Sequence, residues 1–163
     1  MKELLSILPR PSHYIGTEEG SVHKDPASVR LHCALAFPDL YEVGMSYLGH
    51  KILYAILNRR DDVLAERVYA PCRETGKLLR EHNVSLATLE SDTDIAKTHM
   101  FAFAITHELC FTNVLYMLEL SGIPLRAADR DERWPLIIAG GPCVCNAEPM
   151  ADFFDVMQLG EGE

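Results

Sequence analysis

Two patterns of apolar residues alternate along the chain: short unbroken runs, and longer stretches in which they recur every three or four positions. Val29 to Phe37 is the first run (Val29, Leu31, Cys33, Ala34, Leu35, Ala36, Phe37), and its near-continuous apolar character suits a parallel strand covered on both faces. Pro38 ends it. From Met45 to Asn58, the spacing of Met45, Leu48, Ile52, Leu53, Ile56 and Leu57 predicts an amphipathic helix, stopped by the polar run Asn58-Arg59-Arg60-Asp61-Asp62. Val63 to Tyr69 predicts a shorter, more polar strand that ends at Ala70-Pro71. Glu74 to His82 reads as a helix with Leu78 and Leu79 inward and Lys77, Arg80 and Glu81 outward. Val84 to Leu89 reads as a short edge strand, followed by turn chemistry at Ser91-Asp92-Thr93-Asp94. His99 to Thr106 is a second deeply buried strand, and the helix after it runs from about Phe111 to Leu120. Ser121-Gly122-Ile123-Pro124 closes that helix, with glycine at a C-cap position and proline two residues on. Leu136 to Ala139 is a further strand with Gly140-Gly141-Pro142 as its turn. The last strand, Asp155 to Leu159, runs into Gly160-Glu161-Gly162-Glu163.

Strands alternating with helices imply βαβ units, and therefore an α/β domain with a parallel sheet and right-handed crossovers. That domain spans residues 29–163. Residues 1–28 form an N-terminal arm, broken by Pro9, Pro11, Pro26, Gly16 and Gly20 and lacking periodicity. Tyr14 and Ile15 offer apolar groups with which the arm docks; a disordered leader fits the same composition.

Composition narrows the partners. With 163 residues and 48% hydrophobic content, the chain buries one sizeable core. A net charge of -9 argues against nucleic-acid binding, which relies on clustered Lys and Arg. No apolar run approaches the roughly 20 residues of a membrane span, and the N-terminus lacks a signal-peptide pattern, so the expected location is cytoplasmic. Five cysteines, an odd number, favour reduced thiols over a disulfide framework. No Cys-x2-Cys pair occurs, the Cys143-x-Cys145 pair is poorly spaced for zinc, and the seven histidines show no ligand spacing, so no metal site is expected. Cys33, within the first strand, and Cys110, near a helix start, read as small apolar residues.

Candidate chemistry gathers in the turns at the presumed carboxyl edge of the sheet, beyond which ligands of parallel α/β proteins bind. These are Asp39 to Gly49, Thr106-His107-Glu108, Gly140-Gly141-Pro142 and Gly160 to Glu163. No Gly-x-Gly-x-x-Gly or Gly-x4-Gly-Lys-Ser/Thr loop is present, so dinucleotide and phosphate-loop fingerprints are lacking. Gly140-Gly141 either lets backbone approach a ligand or makes a tight turn. Asp39 either bonds a ligand or caps the following helix. His107 and Glu108, adjacent in an extended stretch, face opposite sides and read as separate turn groups rather than an acid–base or metal pair. Nothing assembles into a nucleophile, base and orienting group, so no catalytic residue is expected.

Asp39-x-Tyr41-x-x-Gly44, followed by Gly140-Gly141, resembles the Asp-x-His-x-x-Gly and later Gly-Gly of cobalamin-binding domains, with Thr106-x-Glu108 loosely where Ser-x-Leu stands. Tyr41 replaces the histidine that ligates cobalt from below, and the gap from Gly44 to Thr106 is longer than in that family. A closer match covers nearly the whole chain. Tyr14-Ile15-Gly16, Leu35 to Ser46, Val63 to Val68, Ile137 to Pro142, Glu148 to Asp155 and Gly160-Glu161-Gly162-Glu163 resemble the N-terminal part of a family of radical S-adenosylmethionine (SAM) proteins. In that family a cobalamin-binding-like domain precedes a radical SAM barrel.

The resemblance implies a flavodoxin-like (Rossmann-like) three-layer sandwich, with helices on both faces of the sheet. It implies an excised N-terminal accessory domain, not catalytic alone, whose partner is the downstream barrel of the same protein. A four-iron four-sulfur cluster and S-adenosylmethionine are expected only in that barrel, because no Cys-x3-Cys-x2-Cys occurs here. Cobalamin or a related ligand would then lie over Asp39, Tyr41, Gly44, Met45, Ser46, Gly49, Thr106, Glu108, Gly140, Gly141, Pro142, Gly160 and Glu161. The alternative is a degenerate, cofactor-free module that shapes substrate access or mediates docking. A free-standing flavin or nucleotide binder has the least support, since no phosphate-cradling loop is present.

Overall fold

Strand β1 (Leu31–Phe37) is apolar on both faces because both are covered, as expected of a central parallel strand. The computed structural model describes residues 1–160 and 162. Strands β2 (Val63–Tyr69), β3 (Met100–Ala104), β4 (Leu136–Gly140) and β5 (Val156–Met157) complete an all-parallel sheet in the order β2-β1-β3-β4-β5. The chain moves from β1 outward to β2, then crosses back over β1 to β3. With right-handed crossovers, that reversal puts the first connecting helix on one face and the later ones on the other. Helix α2 (Leu48–Asn58) accordingly packs Leu53, Tyr54 and Leu57 on Cys33, Leu35, Ala65 and Ala102. Helices α3 (Arg73–His82) and α4 (Phe111–Leu120) bury Leu79, Val114, Met117 and Leu118 against Ala34, Ala36, Phe101, Phe103, Ile137 and Ala139. This is the flavodoxin-like three-layer arrangement that the sequence predicts.

Three local readings are corrected. The helix expected from Met45 is interrupted: a single turn, α1 (Tyr41–Gly44), is separated from α2 by Tyr47, which is extended at φ -78° and ψ 116°. The cause is aromatic packing. Gly44 sits so close beneath the Tyr69 ring that a Cβ would lie 2.4 Å from it, and Tyr47 folds back over Phe37 with ring centroids 5.1 Å apart. The edge strand expected at Val84–Leu89 does not form a ladder. Its one backbone bond to β2 runs from Leu89 N–H to the Arg67 carbonyl at 2.9 Å, and its residue Ala87 makes an isolated antiparallel bridge to Asp94. Side chains occupy the rest of that edge: Asn58 bonds both the N–H and the carbonyl of Ala65, and the Glu90 carboxylate takes the Arg67 N–H. The last strand, Val156–Met157, is shorter than the predicted Asp155–Leu159; at its start the Asp155 carboxylate accepts the Ile137 N–H at 2.7 Å in place of a strand carbonyl.

The N-terminal arm is docked rather than a loose leader, and it wraps the β2 edge from one sheet face to the other. Leu4 and Leu8 are buried with the α3–α4 core. The Met1 ammonium pairs with Asp92 at 3.1 Å. Past the carboxyl end of β2, the Tyr14 hydroxyl donates to Thr75, and Gly16 crosses so near Leu89 that any side chain would strike its carbonyl. On the opposite face, Val22 N–H donates to the Tyr54 hydroxyl at 2.7 Å, and Lys24 donates to the carbonyls of Asn58, Arg60 and Val63.

Candidate functional site

The order in which strands are added reverses at β1, so β1 and β3 are neighbours whose connections leave to opposite sides. A crevice beyond their carboxyl ends follows from that topology, and it is where open parallel sheets bind ligands. Asp39 leaves β1 into this crevice. Its turn is held by the Asp39 N–H donating to the Phe37 carbonyl at 2.8 Å and by Asn113 of α4 donating to the Pro38 carbonyl at 2.9 Å. One carboxylate oxygen accepts the Leu40 N–H at 2.7 Å; the aspartate does not cap α1, whose N-cap is Leu40.

From the end of β3, Ile105 donates its N–H to the Gly140 carbonyl at 2.8 Å, and the chain then turns through Thr106 and His107 into a 3-10 turn, Glu108–Cys110, that leads into α4. The bond from Cys110 N–H to the His107 carbonyl at 3.1 Å puts both side chains on one side of the turn. Each ring nitrogen of His107 is 3.5 Å from the Cys110 sulfur. One donor atom each from Asp39, His107 and Cys110 lies within 4.8 Å of the others. Burial, with the Asp39 charge adding to it, pushes the Cys110 thiol up. Glu108 is exposed, whereas Thr106 and His107 are half-buried.

The β4 glycines have different roles. Gly141 has φ +107°, and a Cβ there would stand 2.6 Å from the Ile105 carbonyl oxygen, so the turn itself requires glycine. A Cβ at Gly140 would meet nothing within 4 Å among the described residues. Pro142 opens a 3-10 turn, Pro142–Asn146, and Gly160 lies exposed beyond β5 with φ +97°. Glu161 lies outside the described residues.

The remaining candidates lie in the segment that follows Asp39, with Tyr41 and Met45 turned toward the arm and the end of β2. The Tyr41 ring stacks on His13 with centroids 4.3 Å apart and meets the Tyr69 ring edge-on at 5.5 Å. Its hydroxyl donates to Glu18 at 2.8 Å, and burial, followed by that carboxylate, pushes its pKa up to about 12. The Met45 sulfur accepts from the Tyr69 hydroxyl at 3.0 Å and from Arg67 at 3.3 Å. Ser46 bonds the Val43 carbonyl, and Gly49 is roofed by the Tyr47 ring. Behind them, Arg67 bridges Glu90 at 2.6 Å and Glu18 at 2.8 Å, with Tyr54 beneath its guanidinium. A cavity of about 360 Å³ separates the arm from the end of β2, lined in part by His13, Tyr14, Tyr41, Tyr69 and Cys72.

Residues 49–163 match the family described as "Radical SAM proteins, N-terminal". The chain belongs to that family. No curated protein matches it.

Within this radical SAM N-terminal domain, the thirteen-residue set expected from sequence is therefore divided. Asp39, Thr106, Glu108, Gly140, Gly141 and Pro142 share the β1–β3–β4 edge, while Tyr41, Gly44 and Met45 belong to the aromatic cluster beneath the arm. Position 41 does not fit the role of a cobalt ligand. One face of its ring is covered by His13, Tyr69 packs edge-on against it, and its oxygen is engaged by Glu18. The sequence reading missed the approach of His107 and Cys110 to Asp39. The available signal was the His-x-x-Cys spacing at a strand end, one 3-10 turn apart, next to an acid leaving the neighbouring strand. Nothing in the sequence signalled that His13 and Glu18 close over Tyr41.

Proposed function

We propose that this chain is an accessory domain of a radical SAM enzyme, without catalysis of its own, whose open carboxyl edge shapes what reaches the enzyme's barrel. In this reading the iron–sulfur cluster and S-adenosylmethionine belong to the barrel, which is the domain's partner within the same protein. The observation that carries it is the engagement of Tyr41 by His13, Tyr69 and Glu18, which leaves position 41 with its hydroxyl already bonded and no free atom to stand beneath cobalt. The β1–β3–β4 edge stays open, and Leu109, 84% exposed, extends an apolar side chain beside it.

A second reading, in which this edge carries cobalamin or a related ligand, is favoured by Gly140. The open space beyond its Cα gives room for a nucleotide tail, and packing within the domain does not account for a glycine there. Titration with hydroxocobalamin, followed by gel filtration, separates the two. The cofactor-free reading expects an unchanged corrinoid spectrum and elution apart from the protein. Co-elution would overturn it in favour of the second reading, and the spectrum would then report whether a protein nitrogen reaches cobalt.

A further inference from the structure

We propose that Asp39, His107 and Cys110 bind a single divalent transition-metal ion of the zinc or cobalt(II) class, with a fourth coordination position open to the β1–β3 crevice. One carboxylate, one imidazole and one thiol converge from two turns, their donor atoms within 4.8 Å of one another. Ions of this class bind such donors at about 2.0–2.3 Å, which places tetrahedral ligands roughly 3.3–3.8 Å apart. Closing the cluster onto an ion therefore shortens donor separations by about 1.5 Å at most and turns the His107 ring, whose two nitrogens stand equally far from the Cys110 sulfur, so that one of them faces the ion. The backbones are already fixed by the Asn113–Pro38 bond and by the bond from Cys110 N–H to the His107 carbonyl.

The donor set also selects the ion. Calcium and magnesium take oxygen ligands, whereas imidazole with thiolate suits zinc and its spectroscopic substitute cobalt(II). On binding, the metal–sulfur bond replaces the S–H bond and the proton passes to solvent. The thiolate then stands at the N-cap of the ten-residue helix α4, whose N-terminal partial charge favours an anion. With Asp39, it balances the two charges of the ion. Three protein ligands leave one position for water or an incoming donor, as in zinc sites that act on ligands rather than merely holding a fold. The site stands on these three residues whether or not the same edge holds a corrinoid.

The test uses untagged, chelator-stripped protein under reducing conditions, titrated with cobalt(II) alone. Saturation at one equivalent is expected, with visible ligand-field bands and a near-ultraviolet sulfur-to-cobalt charge-transfer band, both abolished by zinc. Cys110→Ser should remove the charge-transfer band. His107→Ala and Asp39→Asn should each weaken binding by at least about tenfold, since losing even a group that only orients a metal ligand costs that much. Cys145→Ser, at an exposed thiol outside the cluster, should change neither. Melting curves confirm that each variant is folded; should Cys110→Ser fail to fold, His107→Ala and Asp39→Asn decide. Absence of the charge-transfer band in the parent protein, its persistence in folded Cys110→Ser, or unchanged affinity in both other variants overturns the proposal.

Discussion

Tyr41 follows β1 and His107 follows the neighbouring strand β3, yet their polar atoms are in opposite situations. The Tyr41 oxygen is bonded to Glu18 and its ring is packed between His13 and Tyr69. Among the described residues, the His107 ring nitrogens have only the Cys110 sulfur, at 3.5 Å. The difference continues behind each residue. Under the arm, Arg67, Glu90, Glu18 and Ser21 bond to one another until few of their polar groups remain unmatched. At the β1–β3–β4 edge, Asp39 and His107 are only half-buried, and a Cβ at Gly140 would meet nothing within 4 Å among the described residues. One half of the edge spends its polarity on stability, and the other keeps it available to something from outside.

If that division holds, the largest loss of stability should come from the closed half. Arg67→Ala leaves Glu90 buried without its cation and frees Glu18 from the arm's anchor. Removing one partner of a buried pair costs about 3–5 kcal/mol, so the variant should unfold at clearly lower denaturant, with earlier proteolysis within residues 1–28. A loss below about 1 kcal/mol would show that the arm is held by its apolar residues instead. The same half contains His50, 1% exposed, with neither ring nitrogen bonded among the described residues and its pKa lowered to about 4 by burial, with the Arg67 charge adding to it. Because the folded-state value lies below the ordinary 6.5, the unfolded chain takes up the proton first. Stability is therefore held above about pH 6.5 and lost as pH falls toward 4. The loss from this residue reaches about 3 kcal/mol, at 1.36 kcal/mol per unit. His50→Leu should flatten that part of the stability–pH profile and, by removing an unsatisfied buried group, should not weaken the protein at pH 7. An unchanged slope between pH 6.5 and 4 would place the acid sensitivity elsewhere.

The closed half also shows where sequence reading stops. Val29–Phe37 and His99–Thr106 reveal their strands because burial on both faces leaves a near-continuous apolar run, a property of local composition. The break at Tyr47 is not local: it depends on Gly44 fitting under Tyr69, a residue 25 positions later that reaches it only through the β1–β2 register. Docking of the arm depends on His13 and Glu18 meeting Tyr41, for which no periodicity exists. The candidate site divides in the same way. The four edge turns follow from strand ends, so Asp39, Thr106 and Gly140-Gly141 can be located in advance. The joining of His107 and Cys110 to Asp39 needs the parallel pairing of β1 with β3, in which Cys33 stands beside Met100 and the turns that follow the two strands come side by side.

The open half is tested by two adjacent glycines whose environments differ. Gly141→Ala forces a Cβ to within 2.6 Å of the Ile105 carbonyl oxygen at a φ of +107°, and should cost about 1–3 kcal/mol whatever the site binds. Gly140→Ala meets no atom of the described residues within 4 Å and lies in strand β4, so its effect on stability should be slight and can be favourable, by about 0.4–1 kcal/mol, through the unfolded chain. Denaturant melts of the two variants give that contrast directly, and equal losses would mean that the space above Gly140 is not truly open. The methyl group nevertheless intrudes where a ligand would come closest. A variant at Gly140 that is as stable as the parent, yet fails to retain a ligand that the parent retains, would assign this glycine to recognition. Retention by both would leave it to the strand alone.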